Sequence, residues 1–194
     1  MERAARIKRK TKETDISIVW ALDGEGTYSI STGVPFLNHM LELFARHGFF
    51  NLTVKAKGDT DVDYHHTVED LGITLGKALK QALGGFEGIR RYGHALIPMD
   101  EALCMCVIDM SGRPSLVWKG KLAGKIGAFD VQVVKEFLQG FVNEARITLH
   151  VNLIYGDNLH HRVESVFKAF ARALKDAASK DEAVTGPLST KGVL

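Results

Sequence analysis

With 194 residues, 45% of them hydrophobic, and a formal net charge of +2, the chain has the make-up of an ordinary soluble globule with enough length for a proper core. The small net charge offers no electrostatic footprint for nucleic acid, and no apolar stretch approaches membrane-spanning length. The basic start MERAARIKRK is not followed by an apolar run, so it does not read as a secretory signal.

Alternation through IKRKTKETDISIVWAL and TYSIST predicts strands, with a turn at Asp23-Gly24 and Glu25-Gly26. Pro35, after Ser31 and Thr32, marks the start of a first helix, and Gly48 is expected just past its end. A third strand, NLTVKAKG, leads into a helix that carries HHTVE and stops at Gly84-Gly85. The order then recurs: strands through HALIPMDEALCMCVIDM and SLVWKGKL, separated by the turn Ser111-Gly112-Arg113-Pro114. A helix over roughly residues 130–143, the strand ITLHVNL and a helix over 158–178 complete the second copy. Helices bracketed by mostly antiparallel strands define an α+β fold, with the helices packed on one face of each small sheet. Cys104 and Cys106 alternate onto one side of a strand, a spacing that disfavours a disulfide. Buried thiols in a reducing, cytoplasmic setting are the simplest expectation.

The recurrence extends to side chains. HHTVE at His65–Glu69 returns as HHRVE at His160–Glu164, 95 residues later. Upstream, with a two-residue gap, FLNHMLELFARHGFFNLTVKA lies over VVKEFLQGFVNEARITLHVNL, which places His39 on Glu136, Phe44 on Phe141 and Val54 on Val151. Each copy therefore reads as a half-domain, residues 1–88 and 89–194, fused into one compact unit.

On a helix, positions i and i+4 share a face, so His65 with Glu69 and His160 with Glu164 can each grip an ion. His66 and His161 are turned about 100° away, so a spare imidazole from each copy is available to complete the other's ion. A single HHxxE is as well explained by surface solvation; its duplication at matched positions is not. Imidazole plus carboxylate admits Zn, Fe, Mn, Co or Ni. Arg91 and Arg113, at element ends, have the paired N–H donors that suit phosphate, and the tail STKG adds Ser189 and Lys191. Taken singly, each is as readily a solvated surface group. Lys168 lies one turn beyond Glu164, placed equally for a salt bridge or a ligand. Glu13 and Asp100-Glu101 interrupt alternating strands, where a carboxylate within reach of a reacting group can move a proton. His47 sits about 80° round the helix from His39 and can line the same cavity. His94 and His150 are given no role.

Several of these strings, in this order, resemble the imidazoleglycerol-phosphate dehydratases of histidine biosynthesis: KETDI, STGVPFLNHMLELFARHG, DVDYHHTVEDLGITLG, RYGHALIPMDEAL, SGRP, HHRVESVFKAFARAL and STKGVL. The resemblance runs from about Arg6 to Leu194 and has the length of the single-function form. It implies dehydration of imidazole glycerol phosphate to imidazole acetol phosphate through a metal-bound imidazolate, with two Mn(2+) per active site. One ion would be held by His39, His66, His160 and Glu164, the other by His65, Glu69, His161 and the residue at 136. It further implies a homo-oligomer of 24 subunits with sites at the interfaces, so that the two motifs meeting at one site come from different chains. Glu13 is the first candidate for proton transfer and Asp100 the second, with His47 holding substrate hydroxyls; Arg91, Arg113, Lys168, Ser189 and Lys191 would anchor the phosphate. Position 136 departs from the pattern, since the relatives carry histidine where this chain has Glu136. A dinuclear phosphohydrolase would use the same metals and cations, and a metal-stapled shell would need neither Glu13 nor the tail.

Overall fold

A computed structural model of the chain describes residues 3–186 and 188–190. The first repeat runs β1 (Ala4–Lys10), β2 (Thr14–Ala21), β3 (Tyr28–Ser31), α1 (Pro35–Gly48), β4 (Asn51–Gly58) and α2 (His65–Leu83). The second runs β5 (Tyr92–Met99), β6 (Ala102–Asp109), β7 (Ser115–Lys119), β8 (Lys125–Ile126), β9 (Phe129–Asp130), α3 (Val133–Ala145), β10 (Thr148–Tyr155) and α4 (Leu159–Ala178). The two four-stranded sheets have the same order, β1-β2-β4-β3 and β5-β6-β10-β7. In each, a parallel pair flanks a helical crossover (β3 with β4, β7 with β10), and the remaining pairings are antiparallel.

Two long alternating runs break into hairpins at the carboxylates that interrupt them. IKRKTKETDISIVWAL folds as the hairpin β1–β2, because the Thr11 hydroxyl accepts the N–H groups of Glu13 and Thr14 and closes a tight turn without Gly or Pro. HALIPMDEALCMCVIDM folds as β5–β6, turning at Asp100, which takes a left-handed φ of 46°. The helix expected from residue 130 begins at Val133, since Asp130 pairs with Lys125 in the small β8–β9 hairpin. Gly48 is the last residue of α1 rather than the first beyond it, and Phe49 supplies the left-handed cap at φ 54°. A side chain at 48 would collide with the Phe50 ring, its Cβ 2.1 Å from the nearest ring atom.

Alternation sets which face is buried. Ile16, Ile18 and Trp20 of β2 and Cys104, Cys106 and Ile108 of β6 point inward, fully covered, and both cysteines are free thiols. Burial pushes the Cys106 thiol pKa well up, as expected for an inert core residue. Helices cover one face of each sheet and pair across the repeats, α2 with α3 and α1 with α4. The two pairs are packed differently. Gly72 and Gly76 of α2 let the α3 backbone approach; a Cβ at Gly72 would stand 2.1 Å from the Phe137 carbonyl oxygen. Aromatic stacking joins α1 to α4, with Phe44 and Phe170 ring centroids 5.3 Å apart. Trp20 of β2 touches Phe44 at 5.6 Å and, across the repeat boundary, Phe141 of α3 at 6.4 Å. The buried apolar side chains of both repeats thus form one continuous core, and truncating such an aromatic costs about 3–5 kcal/mol.

Candidate metal centre and substrate site

Both histidine motifs occupy the first turn of a helix, α4 with a side-chain cap and α2 without one. Asn158 accepts from the N–H groups of His160 and His161 at 2.9 and 3.3 Å, and Asp63 accepts from that of His65 at 2.7 Å. An aromatic bridge links the two helix starts. Phe129 packs against Tyr64 at 6.4 Å and Phe36 at 5.0 Å, and Phe36 meets the His160 ring edge-on at 5.1 Å.

At the α1/α4 end, three donors converge. Glu164 Oε2 lies 3.2 Å from His160 Nε2 and 3.6 Å from His39 Nε2, and one donor atom from each residue falls within 4.8 Å of the others. This is the only such cluster of three among the described residues. Glu164 is buried, yet Lys168 Nζ sits 2.6 Å from its other oxygen. Burial alone would raise its pKa; the Lys168 hydrogen bond and charge, with His39 and His160, outweigh that and hold it lowered. Two imidazoles and an ionised carboxylate on two helices fit a borderline divalent cation. Lys168 is therefore in a salt bridge with Glu164, with its Nζ also 3.3 Å from Met99 Sδ. His47 is half-buried nearby, and burial, followed by the charges of Lys168 and Arg172, lowers its pKa and favours the neutral ring.

The corresponding set at the α2/α3 end does not close. His65 Nε2 and Glu69 Oε2 are 3.7 Å apart. His65 lines a cavity of about 480 Å³ with Thr60, Tyr64 and Lys125, whereas Glu136 lines a neighbouring one of about 320 Å³ with Trp118, Leu122 and Lys135. Gln132 borders both cavities.

The middle histidines engage four carboxylates, of which the sequence patterns singled out Glu13, Asp100 and Glu101, though not as histidine partners, and missed Asp59. His66 Nδ1 lies 2.9 Å from Asp59 Oδ2 and 3.9 Å from Glu13 Oε2. His161 Nδ1 lies 2.7 Å from Glu101 Oε2, and its Nε2 is 3.7 Å from Asp100 Oδ2. The Asp59 and Glu101 contacts raise the two imidazole pKa values. His161 together with the Asn158 N–H draws the Glu101 carboxyl down to about 2.

The arginines form a separate group held by Asp109. Arg91 is buried and donates from Nε and Nη2 to the two Asp109 oxygens, at 2.8 and 3.3 Å, and from Nη1 to the Leu188 carbonyl. That ion pair raises its pKa. Exposed Arg113 reaches the same carboxylate at 3.9 Å. Leu188 brings Ser189 next to these cations, while Lys191 lies outside the described residues. Arg91 accordingly sits at the C-terminal end of α4, its N–H bonded to the Ala177 carbonyl. Lys168 is nine residues earlier on that helix, roughly 13 Å by helical rise. One chain thus keeps the arginines and the histidine–glutamate cluster apart. His94 and His150 are exposed on the outer face of the second sheet, both opposite Val107.

Comparison with known proteins matches the chain to one family. The family model for imidazoleglycerol-phosphate dehydratase covers residues 32–174. The imidazoleglycerol-phosphate dehydratase of Geobacter metallireducens is 57% identical over 100% of both chains, and that of Desulfosudis oleivorans 56%. The crystal structure of the Staphylococcus aureus enzyme aligns with a TM-score of 0.81 at 41% identity, over 92% of this chain and 99% of that one. The Pyrococcus furiosus structure, in complex with (S)-C348, aligns with a TM-score of 0.84 at 36% identity, over 97% and 100%. The chain belongs to the imidazoleglycerol-phosphate dehydratase family and is an enzyme of the hydro-lyase class.

Proposed function

We propose that the chain dehydrates imidazole glycerol phosphate to imidazole acetol phosphate, in histidine biosynthesis in the cytoplasm, as a Mn(2+)-dependent enzyme. The observation that carries the metal part of this reading is the convergence of His39, His160 and Glu164 on one point. Two Mn(2+) ions per site fit the donor set: His39, His160 and Glu164 with a neighbouring chain's copy of His66, and His65, Glu69 and Glu136 with a neighbouring copy of His161. Bound there, divalent ions would make the N–H of the substrate's imidazole ring more acidic.

The remaining work falls to side chains. Glu13, whose side chain is 53% exposed beside His66, takes the C–H proton next to the carbon that loses its hydroxyl. Neutral His47 holds a substrate hydroxyl, and Asp100 is the second carboxylate available to the reacting chain. Arg91, Arg113, Ser189 and Lys191 anchor the phosphate, with Lys168 contributed from the metal cluster. The separation of Lys168 from Arg91 within one chain supports a site assembled from several chains. The apolar outer face of the second sheet, with Tyr92, Leu96, Val117 and Ile154 exposed, supports the same reading. We place the chain in a homo-oligomer of 24 subunits, each built of repeats 1–88 and 89–194. The test is incubation of Mn(2+)-loaded protein with imidazole glycerol phosphate. Formation of the ketone is expected, and release of inorganic phosphate in its place would make the chain a phosphohydrolase.

A further inference from the structure

We propose that Asp59 and Glu101 are positioning residues that fix which nitrogen of His66 and His161 is free to ligate, and that Asp59 fills this place in the first repeat so that Glu13 is left for chemistry. The inference rests on the ligand roles proposed above for the two histidines.

An ionised carboxylate only accepts hydrogen bonds. Nδ1 of His66, 2.9 Å from Asp59, and Nδ1 of His161, 2.7 Å from Glu101, must then carry the proton, and in the neutral ring the lone pair is left on Nε2. A carboxylate behind a ligating histidine also orients the ring and increases its basicity toward the metal.

The two carboxylates are not repeat equivalents. Glu101 immediately precedes β6 as Glu13 immediately precedes β2, so these two correspond. Glu101 is fully engaged: Oε1 accepts the N–H groups of Asp157 and Asn158, and Oε2 takes His161. Glu13 stands 3.9 Å from His66 Nδ1, beyond hydrogen-bond range. Asp59 supplies the missing contact from the β4–α2 connection, where the register between the repeats puts Gly156 in the second copy. The Asp59 N–H donates to the Glu13 carbonyl at 3.1 Å, which seats it beside Glu13, and its Oδ1 is buried with no other partner. The carboxylate is thus directed at His66 alone.

Asp59→Asn keeps the shape but replaces the charged acceptor with a neutral amide that can donate as well as accept, so the ring proton is no longer confined to Nδ1 and the Nε2 lone pair is no longer fixed. Glu101→Gln should do the same to His161. The experiment is titration with Mn(2+) alone, followed by electron paramagnetic resonance, with solid-state 15N spectra of histidine-labelled protein. The wild-type chain should bind two ions. Each amide variant should keep one ion at wild-type affinity and bind the other 10–100-fold more weakly, with the 15N pattern of one ring showing the proton no longer confined to Nδ1. Glu13→Gln should retain both ions at wild-type affinity, and Asp59→Glu, which keeps the acceptor, should recover part of the lost affinity. Wild-type affinity for both ions in Asp59→Asn and Glu101→Gln, or an unchanged 15N pattern, would overturn the proposal while leaving the metal reading intact. A wild-type chain that binds no Mn(2+) would sink the metal reading itself.

Discussion

The two repeats share strand order, helix pairing and a continuous core, and they differ at the helix starts and in the turns. At the α1/α4 end His39, His160 and Glu164 converge; at the α2/α3 end His65 and Glu69 meet without Glu136. The turn carboxylate Glu101 is consumed by backbone and His161, while its counterpart Glu13 is left exposed. Arg3 and Arg91 each precede the first strand of a repeat and each pair with an aspartate, but only Arg91 has a second arginine beside it. Core positions in both copies face the same packing demand, since a lost methylene or a buried mismatch costs about 1 kcal/mol or more. Loop positions carry no such penalty. The scaffold is therefore common to both copies, while their polar residues are free to differ.

The largest expected effect tests whether the copies are interdependent. His66→Ala and His161→Ala should each abolish turnover and lower metal content, with the helical circular dichroism unchanged. Full activity with two ions per subunit in either variant would break the shared-site reading. Next in size is the cationic group found only in the second repeat. Arg113 is exposed and has little structural burden, so Arg113→Ala should act on substrate binding alone. Loss of a charge-assisted hydrogen bond of about 1.5–3 kcal/mol predicts a roughly 10–100-fold fall in kcat/KM. Deleting residues 189–194 should do at least as much without altering metal stoichiometry, and unchanged efficiency would remove the tail from the site.

Much of this was legible in the residues. The helical period carries the i,i+4 pairs, and the matched motifs carry the duplication that the two sheets display. What escaped was set by contacts distant in sequence. Asp109 joins Arg91 and Arg113 only once β5 and β6 have paired, and Asp59 and Glu101 find their histidines only after folding. The β1–β2 turn carries no Gly or Pro because Thr11 closes it with its hydroxyl, so Glu13, which interrupts the alternation, was its one mark in the sequence. The β8–β9 hairpin is only two residues deep, too short for a period of two to register.

A smaller effect is expected at Glu136, the position that breaks the correspondence with His39. Glu136→Ala should lose one ion preferentially, because its site then has three ligands against four. Glu136→His should keep two ions and measurable dehydration while shifting selectivity toward Zn or Co, as imidazole replaces a harder carboxylate. Metal content by mass analysis, with each ion placed crystallographically, decides the matter. Two ions at wild-type occupancy in Glu136→Ala would remove Glu136 from the ligand set.

The smallest expected effect separates the two arginines. Arg3 binds Asp23 through Nε at 2.7 Å and also donates to the Ala178 carbonyl, tying the first repeat to the end of α4. This pair touches no proposed site residue, so Asp23→Asn should leave kinetics alone and reduce stability only. With the Asp23 side chain 50% exposed, solvent screening limits the pair to about 0.2–1 kcal/mol, or up to roughly 2–4 °C in Tm for a domain of this size. The Arg3 hydrogen bond is the main reason the Asp23 pKa lies below its ordinary 3.8, with the charges of Arg3, Lys175 and Lys180 adding to it against burial. Because the folded value is the lower one, the unfolded chain takes up the proton first as pH falls. The contribution is complete above 3.8 and disappears as pH drops through the folded value. The Tm difference between wild type and Asp23→Asn should therefore be constant from pH 5 to pH 7 and shrink below pH 4. In contrast, Asp109→Asn should raise KM as well as lower Tm, since it releases Arg91 and Arg113 together. Equal kinetic effects of the two variants would erase the distinction between a structural arginine in the first repeat and a substrate-binding one in the second.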